Sequence, residues 1–238
     1  MSSIFFHPAT LAVAMTALPS SGQALAQCAP SSPGPISISS GSCSDPALTI
    51  RESANAAPVV DVSGTGSYSG TSVLLTATGT GHGMQVSGNG TATLIGTSPD
   101  DVSEVITNGT GGHGLYAVDG GVIEGSYTTV TTYGVSAVGA NSSITLIDSS
   151  VSTVEENSHG AYAAGGGTIT LTRTDFTIYG TAASAAFADA GGEVTLNDLN
   201  TFSFGDNAPG AVASGADSNL YGYHSLVVSL KWVRKGTR

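Results

Sequence analysis

One short phrase recurs seven times between residues 58 and 216, and this repeat restricts the fold more than any other feature of the chain. The copies are anchored at Pro58, His82, His113, Tyr133, His159, Ser184 and Pro209. Two residues after each anchor stands an apolar side chain: Val60, Met84, Leu115, Val135, Ala161, Ala186 or Ala211. Four residues after it stands another: Val62, Val86, Ala117, Ala137, Ala163, Ala188 or Ala213. The position between them is mixed, holding Asp61, Gln85, Tyr116, Ser136, Tyr162, Phe187 and Val212. Alternation with a period of two predicts a short strand with one buried face in every copy.

The anchors are spaced 24, 31, 20, 26, 25 and 25 residues apart. Self-similarity at such a period marks stacked coils, and a propeller blade would need about 40–45 residues. A second apolar pair follows the better-preserved anchors: Ile144 and Leu146, Ile169 and Leu171, Val194 and Leu196. A third follows before the next anchor: Val151 and Val154, Phe176 and Ile178, Phe202 and Phe204. Glycine or alanine brackets the anchor strand at all but two positions, Val59 and Asp119, as sharp turns between short strands favour. Three strands and three turns per rung predict an all-β chain, a right-handed parallel β-helix of about seven rungs over residues 56–230.

Charged residues make up only 10% of the chain, with 33 glycines, and the formal charge is -11. The apolar columns separate this composition from that of a disordered chain. Without clustered Lys and Arg in the repeats, a nucleic-acid partner is excluded.

Residues 1–26 stand apart. Apolar runs at 4–6 and 11–18 precede Ala24-Leu25-Ala26, and small residues at Ala24 and Ala26 before Gln27 have the form of a signal-peptidase site. The reading is a secretory signal, although Met1-Ser2-Ser3 lacks the usual basic residue, with an N-terminal helix of no targeting role as the alternative. Residues 27–55 form a Ser/Pro/Gly-rich segment that holds both cysteines, Cys28 and Cys43. Export permits a disulfide between them, with two free thiols as the alternative.

His82, His113 and His159 share one column, each followed by glycine. Structural turn residues are the plainer reading, because a metal pair would lack a third ligand where Tyr133 follows. The acidic pairs Asp100-Asp101 and Glu155-Glu156 fall in expected turns and read as solvated charges. No cofactor or metal site is expected. Tyr116, Tyr162 and Phe187 occupy the outward position of the anchor strand and form a candidate binding face, with cross-rung packing as the alternative.

Three segments carry a family resemblance. Residues 114–121, 160–171 and 190–196, with the Gly166-Gly167-Thr168-Ile169-Thr170-Leu171 and Gly191-Gly192-Glu193-Val194-Thr195-Leu196 rungs, resemble pertactin-like passenger domains of autotransporters, the type V secretion system. The likeness covers residues 50–230. It implies export to the cell outer membrane and surface, a β-helical passenger, and a role in adhesion or virulence. It carries over no catalytic residue. The implied partners are a host-surface protein or a glycan and a separate or missing outer-membrane β-barrel translocator, since no barrel-length segment follows residue 230. Residues 231–238, with Lys231, Arg234, Lys235 and Arg238, read as a basic tail.

A non-enzymatic passenger fragment is therefore the expected function. A secreted polysaccharide-active enzyme is the first alternative, opposed by the scarcity of body cations beyond Arg51 and Arg173. An inert product of a truncated or frameshifted gene is the second, and without a translocator the periplasm is the expected location.

Overall fold

The structure, a computed structural model, describes residues 26–28 and 33–229, so Ala24 and all but the last residue of the 1–26 segment expected to be a signal, and residues 231–238 expected to be a basic tail, lie outside the described residues. Every strand pairs in parallel with its counterpart in the next coil, and the strands sort into three sheets. The anchor sheet contains Ile36–Ile38, Val60–Val62, Met84–Ser87, Leu115–Val118, Val135–Val138, Ala161–Ala164, Ala186–Asp189 and Ala211–Ser214. The second sheet runs from Ala26–Gln27 and Ser42–Asp45 up to Asn219–Tyr223, and the third from Ile50–Ser53 to Leu226–Ser229. The result is a parallel β-solenoid of about eight turns.

Alternation explains the core. In each coil the inward residues of the three strands meet inside, and register stacks them into columns: Met84, Leu115, Val135 and Ala161 on the anchor sheet, Ile123, Ile144, Ile169 and Val194 on the second. On the third the column runs Leu75, Val105, Val130, Val151 and Phe176. All are buried, and each of the Val, Leu, Ile, Met and Phe side chains stabilises the fold by roughly 1.5–3 kcal/mol through loss of apolar surface to water, Ala161 by less. Large and small residues compensate within a coil. Phe176 shares its coil's interior with the small Ala161 and Ala163, and a Cβ on Gly160 would collide with its ring.

The turn after the anchor strand needs a left-handed backbone in all seven copies, at Gly64, Gly88, Asp119, Gly139, Gly165, Ala190 and Gly215. Glycine takes that conformation freely, which is why the column is glycine-rich.

The two irregular spacings have local causes. The 31-residue interval contains a seven-residue loop, 96–102, between the second and third strands, and the 20-residue interval has only Tyr133 and Gly134 between the third strand and the next anchor strand. Neighbouring coils use seven residues there, 108–114 and 154–160.

Two expectations need correction. On the third sheet Val154 is 49% exposed and Thr153 takes the inward place, while Phe202, 40% exposed, points outward and Thr201 and Ser203 point in. The solenoid also starts earlier than residue 56: Ile36 and Ile38 pair with Val60 and Val62, so the Ser/Pro/Gly-rich segment contributes strands to all three sheets.

Candidate functional site

The corner between third and anchor strands delivers the anchor residues to one edge of the solenoid. Because coils are in register, His82, His113, Tyr133 and His159 climb this edge beside the outward column Gln85, Tyr116, Ser136, Tyr162 and Phe187. The rings stack in two groups. In the first, His82 and His113 lie nearly parallel with centroids 5.5 Å apart, and Tyr116 sits 4.6 Å from His82 and 5.2 Å from His113. In the second, His159 is 4.6 Å from Phe187 and 5.8 Å from Tyr162, with Tyr162 5.8 Å from Phe187. Such offset contacts contribute about 0.5–1.5 kcal/mol each beyond burial.

The candidate residues Tyr116, Tyr162 and Phe187 are thus half-buried on one face, but not in one continuous ladder. Ser136 intervenes in register, and it is fully buried with no partner for its hydroxyl among the described residues.

Hydrogen bonds fix the histidines. Nδ1 of His82 accepts the backbone N–H of His113 at 2.9 Å, and Nδ1 of His159 accepts the N–H of Ser184 at 2.9 Å. Both rings are therefore neutral with hydrogen on Nε2, which leaves neither nitrogen a free lone pair. Burial lowers the pKa of all three histidines. His113 is pushed down to about 4, first by burial and then by its neighbours His82 and His159, whose charge would repel its own. Among the described residues no group of three His, Cys, Asp or Glu side chains converges to hold a metal.

The short coil changes the shape of this edge. Loops 108–114 and 154–160 project on either side of Tyr133 and Gly134, and a recess of about 450 Å³ opens between them. His113 borders one side, His159 and Tyr162 the other, and Glu156, Asn157 and Ser158 supply polar groups. Ser158 is buried, yet its Oγ has no hydrogen-bond partner among the described residues.

The remaining candidates lie elsewhere. Asp100 and Asp101 sit in loop 96–102 at the corner between second and third strands, where Asp101 accepts a hydrogen bond from the Thr97 hydroxyl. Glu155 and Glu156 belong to loop 154–160 at the other corner, so the two acidic pairs do not share a face. Arg173, more than half exposed, forms a two-pronged ion pair with Asp148 at 2.6 and 2.8 Å.

Arg51 is committed to the interior. Its guanidinium donates to both carboxylate oxygens of Asp45, one at 2.7 Å, and to the Gly34 carbonyl at 3.0 Å. Tyr68 donates to Asp45 at 3.1 Å, and burial pushes its phenol pKa up. Nearby, Cys28 and Cys43 are joined in a disulfide, with Cα atoms 4.9 Å apart. Ala26 and Gln27 form the short strand beside Cys43 and Ser44.

Sequence reasoning missed the buried Asp45, Arg51 and Tyr68 cluster and the recess. The 20-residue spacing was the available signal for the recess. Comparison of the chain with family models, with curated proteins and with solved structures gives no match.

Proposed function

We propose that this chain is a non-enzymatic, exported β-solenoid scaffold of the autotransporter-passenger kind, which uses one long edge to hold a partner at the cell surface. The observation that carries the reading is the lateral face of stacked rings: six aromatic and histidine side chains, half-buried and fixed by coil-to-coil register. A face held rigid by the core loses little entropy on binding, and aromatic rings are the groups most often responsible for affinity. A host-surface protein or a glycan is the partner class. The leader at 1–26 and the resemblance to surface passengers support export, with an outer-membrane β-barrel as the means of display.

Disposition of charge argues against a polysaccharide-cleaving site. Arg51 is buried against Asp45, Arg173 is paired with Asp148, and the acidic pairs occupy different corners. The purified full chain, incubated with a polysaccharide panel, is expected to release no reducing ends. It is expected to capture a partner from surface extracts less well once Tyr116→Ala and Phe187→Ala are combined. Release of reducing ends, or capture indifferent to both substitutions, overturns the reading.

A further inference from the structure

We propose that the recess left by the short coil binds one neutral sugar ring. The inference rests on the lateral-face reading and gives that face its ligand class.

Two absences coincide at this coil. The loop before Tyr133 is shorter by five residues than the loops at 108–114 and 154–160, and the outward column carries Ser136 where its neighbours carry Tyr116 and Tyr162. A loop and the outward-column ring are therefore both missing at one height, where the anchor residue Tyr133 still lines the recess, and the stacks above and below end on opposite sides of the gap. Insertions and deletions in repeat proteins map to loops on one face, often the binding face. The volume, about 450 Å³, falls within the roughly 300–1,000 Å³ of small-molecule sites.

The lining selects the chemistry. Faces of His113, His159 and Tyr162 offer flat apolar surface, which suits the C–H face of a pyranose. Around them stand an acceptor in Glu156, a donor and acceptor in Asn157, and the Nε2–H of His159, which match the hydroxyls at the rim of such a ring. The buried Ser158 hydroxyl lacks a partner among the described residues, and a buried polar group of that kind is normally satisfied. Its Oγ is closed off from solvent, so a sugar hydroxyl reaches it only if the side chain turns toward the recess. No Lys or Arg lines the recess, Glu156 does, and the whole chain carries a charge of -11, so sulfated, phosphorylated or carboxylated sugars are repelled. A flat aromatic ligand would stack equally well but would leave the three polar side chains unused.

The test is saturation-transfer NMR on the full chain. The probes are methyl glycosides of glucose, galactose, mannose and N-acetylglucosamine, with glucuronic acid and glucosamine as charged comparisons. Glu156 and Asn157 are exposed, and Asn157 has a φ of 58°, so Glu156→Ala and Asn157→Gly preserve the backbone. Saturation transfer to at least one neutral glycoside is expected, weakened about tenfold or more by each substitution, and unchanged by Thr145→Ala on the second sheet. Transfer to none of the neutral glycosides overturns the inference, as does preference for a charged sugar. Binding that Tyr116→Ala or Phe187→Ala abolishes while Glu156→Ala and Asn157→Gly leave it intact also overturns the recess, yet preserves the lateral face. Loss of partner capture in the surface-extract experiment is a separate readout, so failure of the face and failure of the recess are told apart.

Discussion

Acid should loosen this solenoid through its histidine edge. His113 is held neutral by burial, with a pKa of about 4, and in the unfolded chain it returns to its ordinary value near 6.5. The unfolded chain therefore binds a proton first as pH falls, and stability is fully present above about 6.5 and is lost progressively down to about 4. For a fully enclosed ring the loss would be roughly 3 kcal/mol, and partial exposure of His113 reduces it to about 2 kcal/mol. His82 and His159 are shifted in the same direction by burial. Protonation at Nδ1 would also set a cationic N–H against the N–H of His113 or of Ser184, which each ring now accepts. Urea unfolding followed by circular dichroism between pH 7.5 and 4.5 measures the loss, and His113→Phe keeps a ring without a titration. The variant should lose distinctly less stability over that interval than the parent. Coincident pH dependences, or an NMR titration placing the His113 ring at or above 6.5, would refute the reasoning.

Other perturbations test the core, the turns and the first coil. Leu171 is fully buried between Leu146 and Leu196 in register, so Leu171→Ala should cost about 2–5 kcal/mol in urea unfolding, against less than about 0.5 for the outward Thr170→Ala. Ala190 adopts a φ of 46° where most copies have glycine, and Ala190→Gly should raise stability by about 0.5–1 kcal/mol in the same assay. Asp45→Asn removes the charge that faces the buried Arg51 and should speed hydrogen exchange across residues 36–53, with an apparent cost of about 3–5 kcal/mol there, while exchange in 143–172 stays unchanged.

Much of this architecture could be read from the chain because two periods coincide. Residues such as Met84 and Val86 alternate within a strand, and the same pair returns as Leu115 and Ala117 one coil later, so pattern and spacing specify the same sheet. The third strand was harder. Phe202 and Phe204 looked like core because they are large and apolar, but the inward positions there hold Thr201 and Ser203, and Ser203 donates its hydroxyl to the Ala208 carbonyl at 2.9 Å. The outward phenylalanines stack instead, Phe204 against Tyr179 at 5.4 Å. Coil 36–53 carried no anchor residue, and its Ser, Pro and Gly content concealed the alternation of Ile36 and Ile38.

The site was legible only by halves. Tyr116, Tyr162 and Phe187 could be placed on one face from alternation alone. Their division into two groups follows from Ser136, which alternation places between them, whereas the recess depends on the loop lost before Tyr133, which the 20-residue interval signals without saying at which corner the residues are missing. The pairing of Asp45, Arg51 and Tyr68 left no periodic trace, because it joins side chains of different strands inside the first coils.

Parallel coils bring these rings into two fixed stacks. An aromatic-edited NOE experiment on the labelled full chain tests it directly. Cross-peaks are expected from His159 to Phe187 and from Tyr162 to Phe187, together with amide-to-Hα contacts between Thr145 and Thr170 and between Thr170 and Thr195. Antiparallel contacts between sequence-adjacent strands, such as 143–147 with 150–153, and no ring contacts across coils would contradict it.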